Sequence, residues 1–403
     1  MKQIQTLKGM KDITGENSTK FDTFIKVATE VMSGCNFGRV QTPILEELAL
    51  FNRNQEDSSD MVTKEMYDFT DNGGKEVALR PEGTAGVVRS YIQNKLDRQP
   101  FTTRQFYFGS MFRYEQPQKG RYREFRQFGA ESFGEASYLE DVQMITMLSM
   151  IFERLNIPVG IEINSLGCKE CLPVYKQKLR TFTEELELCE DCEVRKETNV
   201  LRMLDCKRDT CQSQLKGAPV IESCLCDSCS DMLTSTKNIL NELKIKFRVN
   251  NKLVRGLDYY NGLVFEVVSK GQAIAGGGRY DNLVKEMGGK SRPAVGFAIG
   301  IDRVIERMTL ESSEKRRGIY IGVMTEAALP TLMKLAMYYR NMKNSRVFLD
   351  YKSRGPSTII KNANKENAEC VIILGDKEIE TKECMVKWLE GSTQVNFDLK
   401  ELN

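Results

Sequence analysis

The sequence predicts an α/β (α+β) protein in two parts: a strand-rich first part broken by a helical insertion, and a small α/β domain behind it. Three observations support this. Two aromatic, strand-like runs, Phe106 to Tyr114 and Glu124 to Glu131, flank a polar, basic loop and read as a hairpin. The composition changes at about Cys168, and nine of the twelve cysteines lie between there and Cys229 among charged, helical sequence. From Ile319 onward, strand-like and helix-like segments alternate, as in a small domain with a partly parallel sheet. The boundaries this suggests are 1–318, with the insertion at about 168–240, and 319–403.

In order along the chain, Asn17 to Met32 is helical, with Phe21, Phe24, Ile25 and Ala28 on one face. Thr42-Pro43-Ile44-Leu45 reads as a strand entered through proline, and Val77 to Pro81 as a short strand ending in a turn. A helix follows from Thr84 through Ile92. Val142 to Phe152 is the longest apolar-rich stretch and reads as a buried helix. Strand-like sequence returns at Phe247, Leu263 to Val268, Gly276 to Tyr280 and Ala294 to Ile301. After the charged break Glu311 to Arg317 come strand Ile319 to Val323, helix Ala327 to Tyr339, strand Arg346 to Leu349, helix Ser357 to Glu366 and strand Cys370 to Leu374.

Composition limits function. The chain has 403 residues, 41% of them hydrophobic, enough to bury a sizeable core. A net charge of +2 means that a nucleic-acid partner would be met by local basic clusters. No apolar run reaches the ~18 residues of a membrane span, and the N-terminal sequence has no apolar core of a secretory signal, so no membrane association and a cytoplasmic location are expected. There is no histidine. Ser-His-Asp and Cys-His chemistry, histidine bases and histidine metal ligands are therefore excluded, and catalysis must use Arg, Lys, carboxylates, Tyr or a metal ion.

Four segments carry candidate chemistry. In Leu79-Arg80-Pro81-Glu82-Gly83-Thr84, a carboxylate and a hydroxyl beside a turn glycine suit an ammonium group, although the same residues also make an ordinary surface turn. Phe112-Arg113-Tyr114-Glu115, with Lys119, Arg121 and Arg123 in the loop and Arg126, Gln127 and Glu131 beyond it, puts a bidentate cation on a sheet. Arg255-Gly256-Leu257-Asp258-Tyr259-Tyr260 is the third. Gly276-Gly277-Gly278-Arg279-Tyr280-Asp281 together with Gly300-Ile301-Asp302-Arg303 is the fourth, where glycines permit close backbone approach to a nucleotide or simply form a loop.

Together these segments resemble the class II aminoacyl-tRNA synthetases and, among them, the histidyl-tRNA synthetase family. Thr42-Pro43 resembles motif 1, Phe112 to Glu115 motif 2 and Gly300 to Arg303 motif 3; the third segment and Gly276 to Asp281 look like the two peptides peculiar to the histidine enzymes. The resemblance runs from Leu7 to near the C-terminus. It implies an antiparallel-sheet catalytic domain with a helical insertion and a C-terminal anticodon-binding domain. It also implies ATP with Mg²⁺, L-histidine and tRNA(His) as substrates and partners, and a homodimer. On that resemblance Glu82, Gly83, Thr84 and Gln127 surround the α-amino group of histidine. Glu131 and Tyr260 meet the imidazole, and Tyr259 and Gly300 complete the walls. Arg113 and Arg255 are the catalytic pair on carboxylate and α-phosphate, Arg121 takes the outer phosphates and Arg303 the ATP. Two positions depart from many relatives, Arg126 in place of histidine and Gly262-Leu263 in place of Arg-Thr, which leaves tRNA positioning and local packing open. The rival is the regulatory subunit paralogue of ATP phosphoribosyltransferase, a histidine-sensing partner that typically lacks the C-terminal domain and the motif arginines.

The site reading assigns no residue to a metal. Cys189-x-x-Cys192 and Cys226-x-x-Cys229 nevertheless have the spacing of a four-thiolate zinc site, with Cys206, Cys211 and Cys224 as further candidates. Reduced structural thiols account for the same pattern.

Overall fold

The computed structural model describes residues 3–52, 65–116, 120–256, 259–310, 316–342, 344–391 and 393–402. Lys119, Leu257, Asp258 and the break at 311–315 lie outside the described residues. Two compact units result, Met1–Met308 and Thr309–Asn403.

The first unit opens with α1 (Gly15–Gly34), which buries Phe24, Ala28, Val31 and Met32 at helical spacing. It ends where Asn36 takes a positive φ of 61° and Phe37 N–H returns to the Met32 carbonyl. Strand β1 (Gly38–Arg39) follows, then β2 (Leu45–Glu47), β3 (Tyr67–Thr70) and β4 (Glu76–Leu79), the last three forming a small antiparallel sheet in the order β2-β4-β3. The strand expected at Thr42 to Leu45 thus begins only at Leu45. The carbonyls of Thr42 and Pro43 accept from the Arg80 guanidinium, so they serve an arginine instead of a ladder. Phe37 is buried in the core.

Helix α2 (Thr84–Gln93) leads to the hairpin β5 (Thr103–Phe112) and β6 (Glu124–Phe133), then to α3 (Tyr138–Arg154) and β7 (Gly160–Ser165). Beyond the insertion come β8 (Phe247–Val249), β9 (Asn261–Ser269), β10 (Gln272–Arg279) and β11 (Ala294–Gly300). Eight strands join in the order β1-β5-β6-β11-β10-β9-β7-β8, antiparallel except at the two outer pairs. Helices α1 and α3 cover one face, where Phe24, Phe128, Ile145, Leu148, Phe152 and Phe265 form the main core. The buried pair Arg279–Asp141 (2.9 Å) fastens β10 to α3, and the same guanidinium donates to the carbonyls of Glu135 and Ser137. Arg279 is therefore a structural member of its glycine-rich motif.

The insertion is a bundle of short helices, α4 (Cys171–Thr183), α5 (Glu190–Thr198), α6 (Asp209–Gln214) and α7 (Asp227–Glu242). It has its own small core, including Tyr175, Leu179, Val200, Met203, Leu215 and Ile221, while Leu233 and Leu240 of α7 join the main core. Its cysteines group in a way that spacing did not suggest. Cys189 and Cys192 stand with Cys206 and Cys211, whereas Cys226 and Cys229 stand with Cys168 and Cys171; Cys224 belongs to neither group.

In the second unit, β12 (Ile319–Val323), β13 (Val347–Asp350) and β14 (Cys370–Leu374) are parallel, and β15 (Glu383–Trp388) and β16 (Gln394–Asp398) extend the sheet antiparallel in the order β13-β12-β14-β15-β16. Helices Leu329–Met342 and Pro356–Lys365 pack on it through Leu332, Leu335 and Ala336, and through Ile359 and Ala363.

Candidate active site

The turn between β4 and α2 is built by its own polar groups. Arg80 is buried and donates to the carbonyls of Ser110 and Thr42, which pins the turn to β5. Both oxygens of Glu82 accept helix-terminal amides, from Thr84 N–H at 2.6 Å and Ala85 N–H at 2.7 Å, where a carboxylate also meets the positive end of the helix dipole. A Cβ on Gly83 would lie 2.0 Å from the Tyr107 ring, so only glycine fits.

Strand β6 presents Gln127, Gly129 and Glu131 on one face, as the two-residue repeat requires. The Tyr107 ring lies across Gly129, where a Cβ would be 2.3 Å away. Glu131 Oε1 accepts from Thr84 Oγ1 at 2.8 Å and from the Tyr107 hydroxyl at 3.2 Å, while Oε2 accepts from the Tyr280 hydroxyl. Across the ladder from it is Gly296, where any Cβ would overlap the carboxylate. Glu131 is only 1% exposed. Burial pushes its carboxyl up to about 8, against the opposing pull of the Tyr280 and Thr84 hydroxyls. Gln127 Oε1, in contrast, is buried at the cleft with no hydrogen-bond partner among the described residues, an acceptor suited to an ammonium group.

Four arginines from three segments converge on the open side. Arg113, just past β5, donates from Nε to the Pro81 carbonyl at 2.9 Å and lies over the Phe125 ring. Arg121 pairs with Glu115 at 3.4 Å. Arg255 pairs with Glu266 on β9 at 2.9 Å, above Gly276, where a Cβ would be 2.3 Å from its guanidinium. Arg303 donates to the carbonyls of Gly120 at 2.9 Å and Ala273 at 2.8 Å, and its pKa is lowered by burial first and then by the charges of Arg121 and Arg113. Like charges held this close, two by neutral carbonyls and two by carboxylates, make a site for a polyanion. Tyr259 and Tyr260, ring centroids 4.7 Å apart, close one wall, and burial raises the pKa of both hydroxyls.

The cleft is lined by Glu82, Thr84, Arg113, Arg121, Gln127, Arg255, Tyr259, Tyr260, Gly300 and Arg303. Gly83 and Glu131 are not among its lining residues: Gly83 admits the Tyr107 ring, and Glu131 lies beneath the floor. Arg126 lines the cleft and is anchored, its backbone N–H donating to Asp302 at 2.7 Å and its guanidinium to Asp302 and the Lys11 carbonyl. The local packing at Gly262-Leu263 is also accounted for. Gly262 has φ 58° and exchanges backbone bonds with Leu166 and Gly167, and Leu263 is buried. Sequence reasoning missed Glu266, Tyr107 and the role of Tyr280. A lone carboxylate in the apolar run Leu263 to Val268 was the available signal for Glu266; nothing local marked the two tyrosines.

A sheet of this order, open on one face to so concentrated a set of arginines, defines the class II aminoacyl-tRNA synthetase type of ligase. A family model described as histidyl-tRNA synthetase matches residues 9–172 and 177–304, and one described as an anticodon binding domain matches residues 318–403. The histidine–tRNA ligase of Sulfurimonas denitrificans is 47% identical over 397 residues, 97% of this chain and 98% of that protein. That of Nitratiruptor sp. is 45% identical over 402 residues, 98% of each. The crystal structure of apo S. aureus histidyl-tRNA synthetase matches with a TM-score of 0.81 at 29% identity, covering 99% of this chain and 98% of that one. The chain belongs to the histidyl-tRNA synthetase family.

Proposed function

We propose that this cleft is where a histidine–tRNA ligase joins L-histidine to ATP and then passes the histidyl group to tRNA(His). In the first step a carboxylate oxygen of histidine attacks the α-phosphorus, the bond to the β-phosphate oxygen breaks, and pyrophosphate leaves. The substrate is its own nucleophile, so no protein base is needed, which suits a chain without histidine. The work left to the protein is alignment and charge neutralisation. Arg113 and Arg255 would hold the carboxylate and α-phosphate in register, Arg121 the outer phosphates and Arg303 the nucleotide. Glu82, Thr84 and the spare acceptor of Gln127 would receive the ammonium group. The tyrosine wall, with Glu131 behind it, would face the imidazole. In the second step a terminal ribose hydroxyl of tRNA attacks the activated carbonyl, its proton passes to the adenylate phosphate, and AMP leaves.

Glu115 and Glu266 line the same cleft and are oxygen donors of the kind that a hard divalent cation takes. Magnesium accompanying ATP would spread the charge developing on pyrophosphate. The second unit, matched by an anticodon-binding model, is read as the tRNA anticodon contact, and the loop between β5 and β6 as the contact for the acceptor end. No described helix is long and apolar enough to cross a membrane, and the cytoplasm is the compartment we propose. We also propose a homodimer sealed along residues 36–45. Ile44 and Leu45 are the exposed large apolar side chains there, beside the sheet-edge strand β1, whereas Phe37 is buried.

The observation that carries this reading is the convergence of Arg113, Arg121, Arg255 and Arg303 on one cleft beside Gln127. It disfavours the regulatory paralogue, as does the C-terminal unit. ATP–pyrophosphate exchange run with each of the twenty amino acids should respond to histidine alone. Exchange driven by another amino acid, or none at all from well-folded protein, would overturn the proposal.

A further inference from the structure

Eight of the twelve cysteines fall into two groups of four, and in each group all four sulfurs lie within 4.8 Å of one another. The distances suit one ion. Four sulfurs about 2.3 Å from zinc stand about 3.8 Å apart along each tetrahedral edge. Here Cys168 and Cys171 are separated by 3.6 Å, and Cys189 and Cys206 by 3.9 Å. Disulfides are excluded, since they need about 2.05 Å and all twelve cysteines are free. An iron–sulfur cluster, whose bridging sulfides push the cysteine ligands apart, is too large for so tight a group.

The surroundings aim backbone amides at the sulfurs. Backbone N–H groups of Glu170 and Cys226 donate to Cys168 and Cys171 at 3.4 and 3.1 Å, and those of Cys189 and Arg208 to Cys211 and Cys206 at 3.3 and 3.5 Å. Such bonds orient thiolate ligands and stabilise their charge. Cys189 and Cys226 sit at the N-caps of α5 and α7, where the helix dipole adds to the effect. Cysteines elsewhere show the ordinary alternative: Cys370 and Cys384 are buried among the aliphatic side chains of the second unit, as small hydrophobes are.

We propose that the insertion carries two structural zinc sites, Cys168–Cys171–Cys226–Cys229 and Cys189–Cys192–Cys206–Cys211, each a closed tetrathiolate. The first clamps the neck, joining the place where the chain leaves β7 to the place where it returns into α7. The second staples an interior whose hydrophobic core is small for its length. Between Cys192 and Cys206, Arg202 donates to the Gly256 carbonyl at 2.8 Å, and Lys252 reaches Gln212 beside Cys211 at 3.0 Å. The second site therefore also braces the loop that carries Arg255. That last consequence rests on the role proposed for Arg255, whereas the metal count does not.

The test is metal analysis of full-length protein grown with zinc and dialysed against a weak chelator. Two zinc ions per chain are expected. The pair Cys189→Ser/Cys192→Ser should fall to one, as should Cys168→Ser/Cys171→Ser, while Cys224→Ser keeps two. Because a pair variant could fail to fold, the unaltered chain is also reconstituted with cobalt(II). Tetrahedral thiolate sites give intense visible bands and near-ultraviolet charge transfer, in proportion to two ions. Folded protein with no bound metal and eight freely titrating thiols in the two groups would overturn the proposal. So would bound iron in place of zinc, or a weak octahedral cobalt spectrum.

Discussion

Glu131→Gln isolates the energetic consequence of putting a carboxyl beneath the cleft. The side chain is fully enclosed and titrates at about 8 when folded, against an ordinary 4.5 in the unfolded chain. Between those values folding takes up a proton, so this group's contribution to stability falls as pH rises from about 4.5 to about 8. At pH 7 the cost is about 3 kcal/mol relative to a neutral side chain of the same shape, at about 1.4 kcal/mol per pH unit. Glutamine keeps an acceptor for Thr84 and Tyr107 and can donate to the Tyr280 hydroxyl, so the three contacts have counterparts. Integrated from pH 6 to pH 8, the stability difference, variant minus unaltered chain, should grow by about 2 kcal/mol. Urea unfolding followed by circular dichroism and tyrosine absorbance is the assay; the single tryptophan, Trp388, lies in the second unit and reports on the wrong part. A difference that stayed constant over this interval would show that Glu131 is ionised throughout and that burial does not control it.

Three further outcomes follow from the same geometry. Arg255→Ala should lower histidine-dependent exchange at least ~100-fold while the melting temperature moves only a few degrees, because a transition-state cation is lost and only a half-buried ion pair with Glu266 goes with it; near-normal exchange would refute the assigned role. Truncation after Met308 should leave exchange within a few-fold of the full chain while tRNA charging collapses, since the two units are separately compact; equal loss of both in folded protein would count against the division of labour. Light scattering at micromolar concentration should give twice the chain mass, and Ile44→Glu should shift it toward the single chain; a fully active monomer of the unaltered chain would remove the dimer.

Elements that bury a regular apolar pattern were legible in the sequence. The spans β12 and β14 emerge as read, and α2 is off by one residue, because Ile319 to Val323, Cys370 to Leu374 and the face of Thr84 to Gln93 have no competing polar demand. Strand β7 was missed because Glu162 and Asn164 interrupt its pattern. Their partners Arg248, Asn250 and the Leu253 carbonyl are 86 to 89 residues away, so burial of those polar groups is invisible locally. Strands β15 and β16 face solvent on one side with Glu383, Met385, Gln394 and Asn396 and carry little apolar signal. Among site residues, the arginines were readable because they stand in motifs rich in glycine and aromatic residues, although Arg113, expected on the sheet, stands just past the end of β5. The depth of Glu131 was not, since it is fixed by Gly296, Tyr107 and Tyr280 on three other segments. The cysteine partnership failed for the same reason: spacing identifies C-x-x-C pairs, but only the path of the chain decides which pairs meet.

The absence of histidine is compatible with the first step proposed for the cleft. Acyl-phosphate formation moves charge between oxygens and phosphorus but asks no side chain to take a proton. What the step does need is cations that do not reorganise as charge shifts. Arg113 and Arg303 meet this by bonding to backbone carbonyls of Pro81, Gly120 and Ala273, which hold the guanidinium in place without cancelling its charge. Arg121 and Arg255 are held instead by the carboxylates Glu115 and Glu266, which offset their charge. In the proposed roles the first pair would provide a standing positive field and the second a conditional one, released as an anion arrives. A cleft built that way can keep four guanidinium groups together in the free protein and still present all four to a triphosphate. Glu131, whose carboxyl burial raises to about 8, lies beneath the floor, contacts the cleft through Thr84 and takes no proton in the bond-making step.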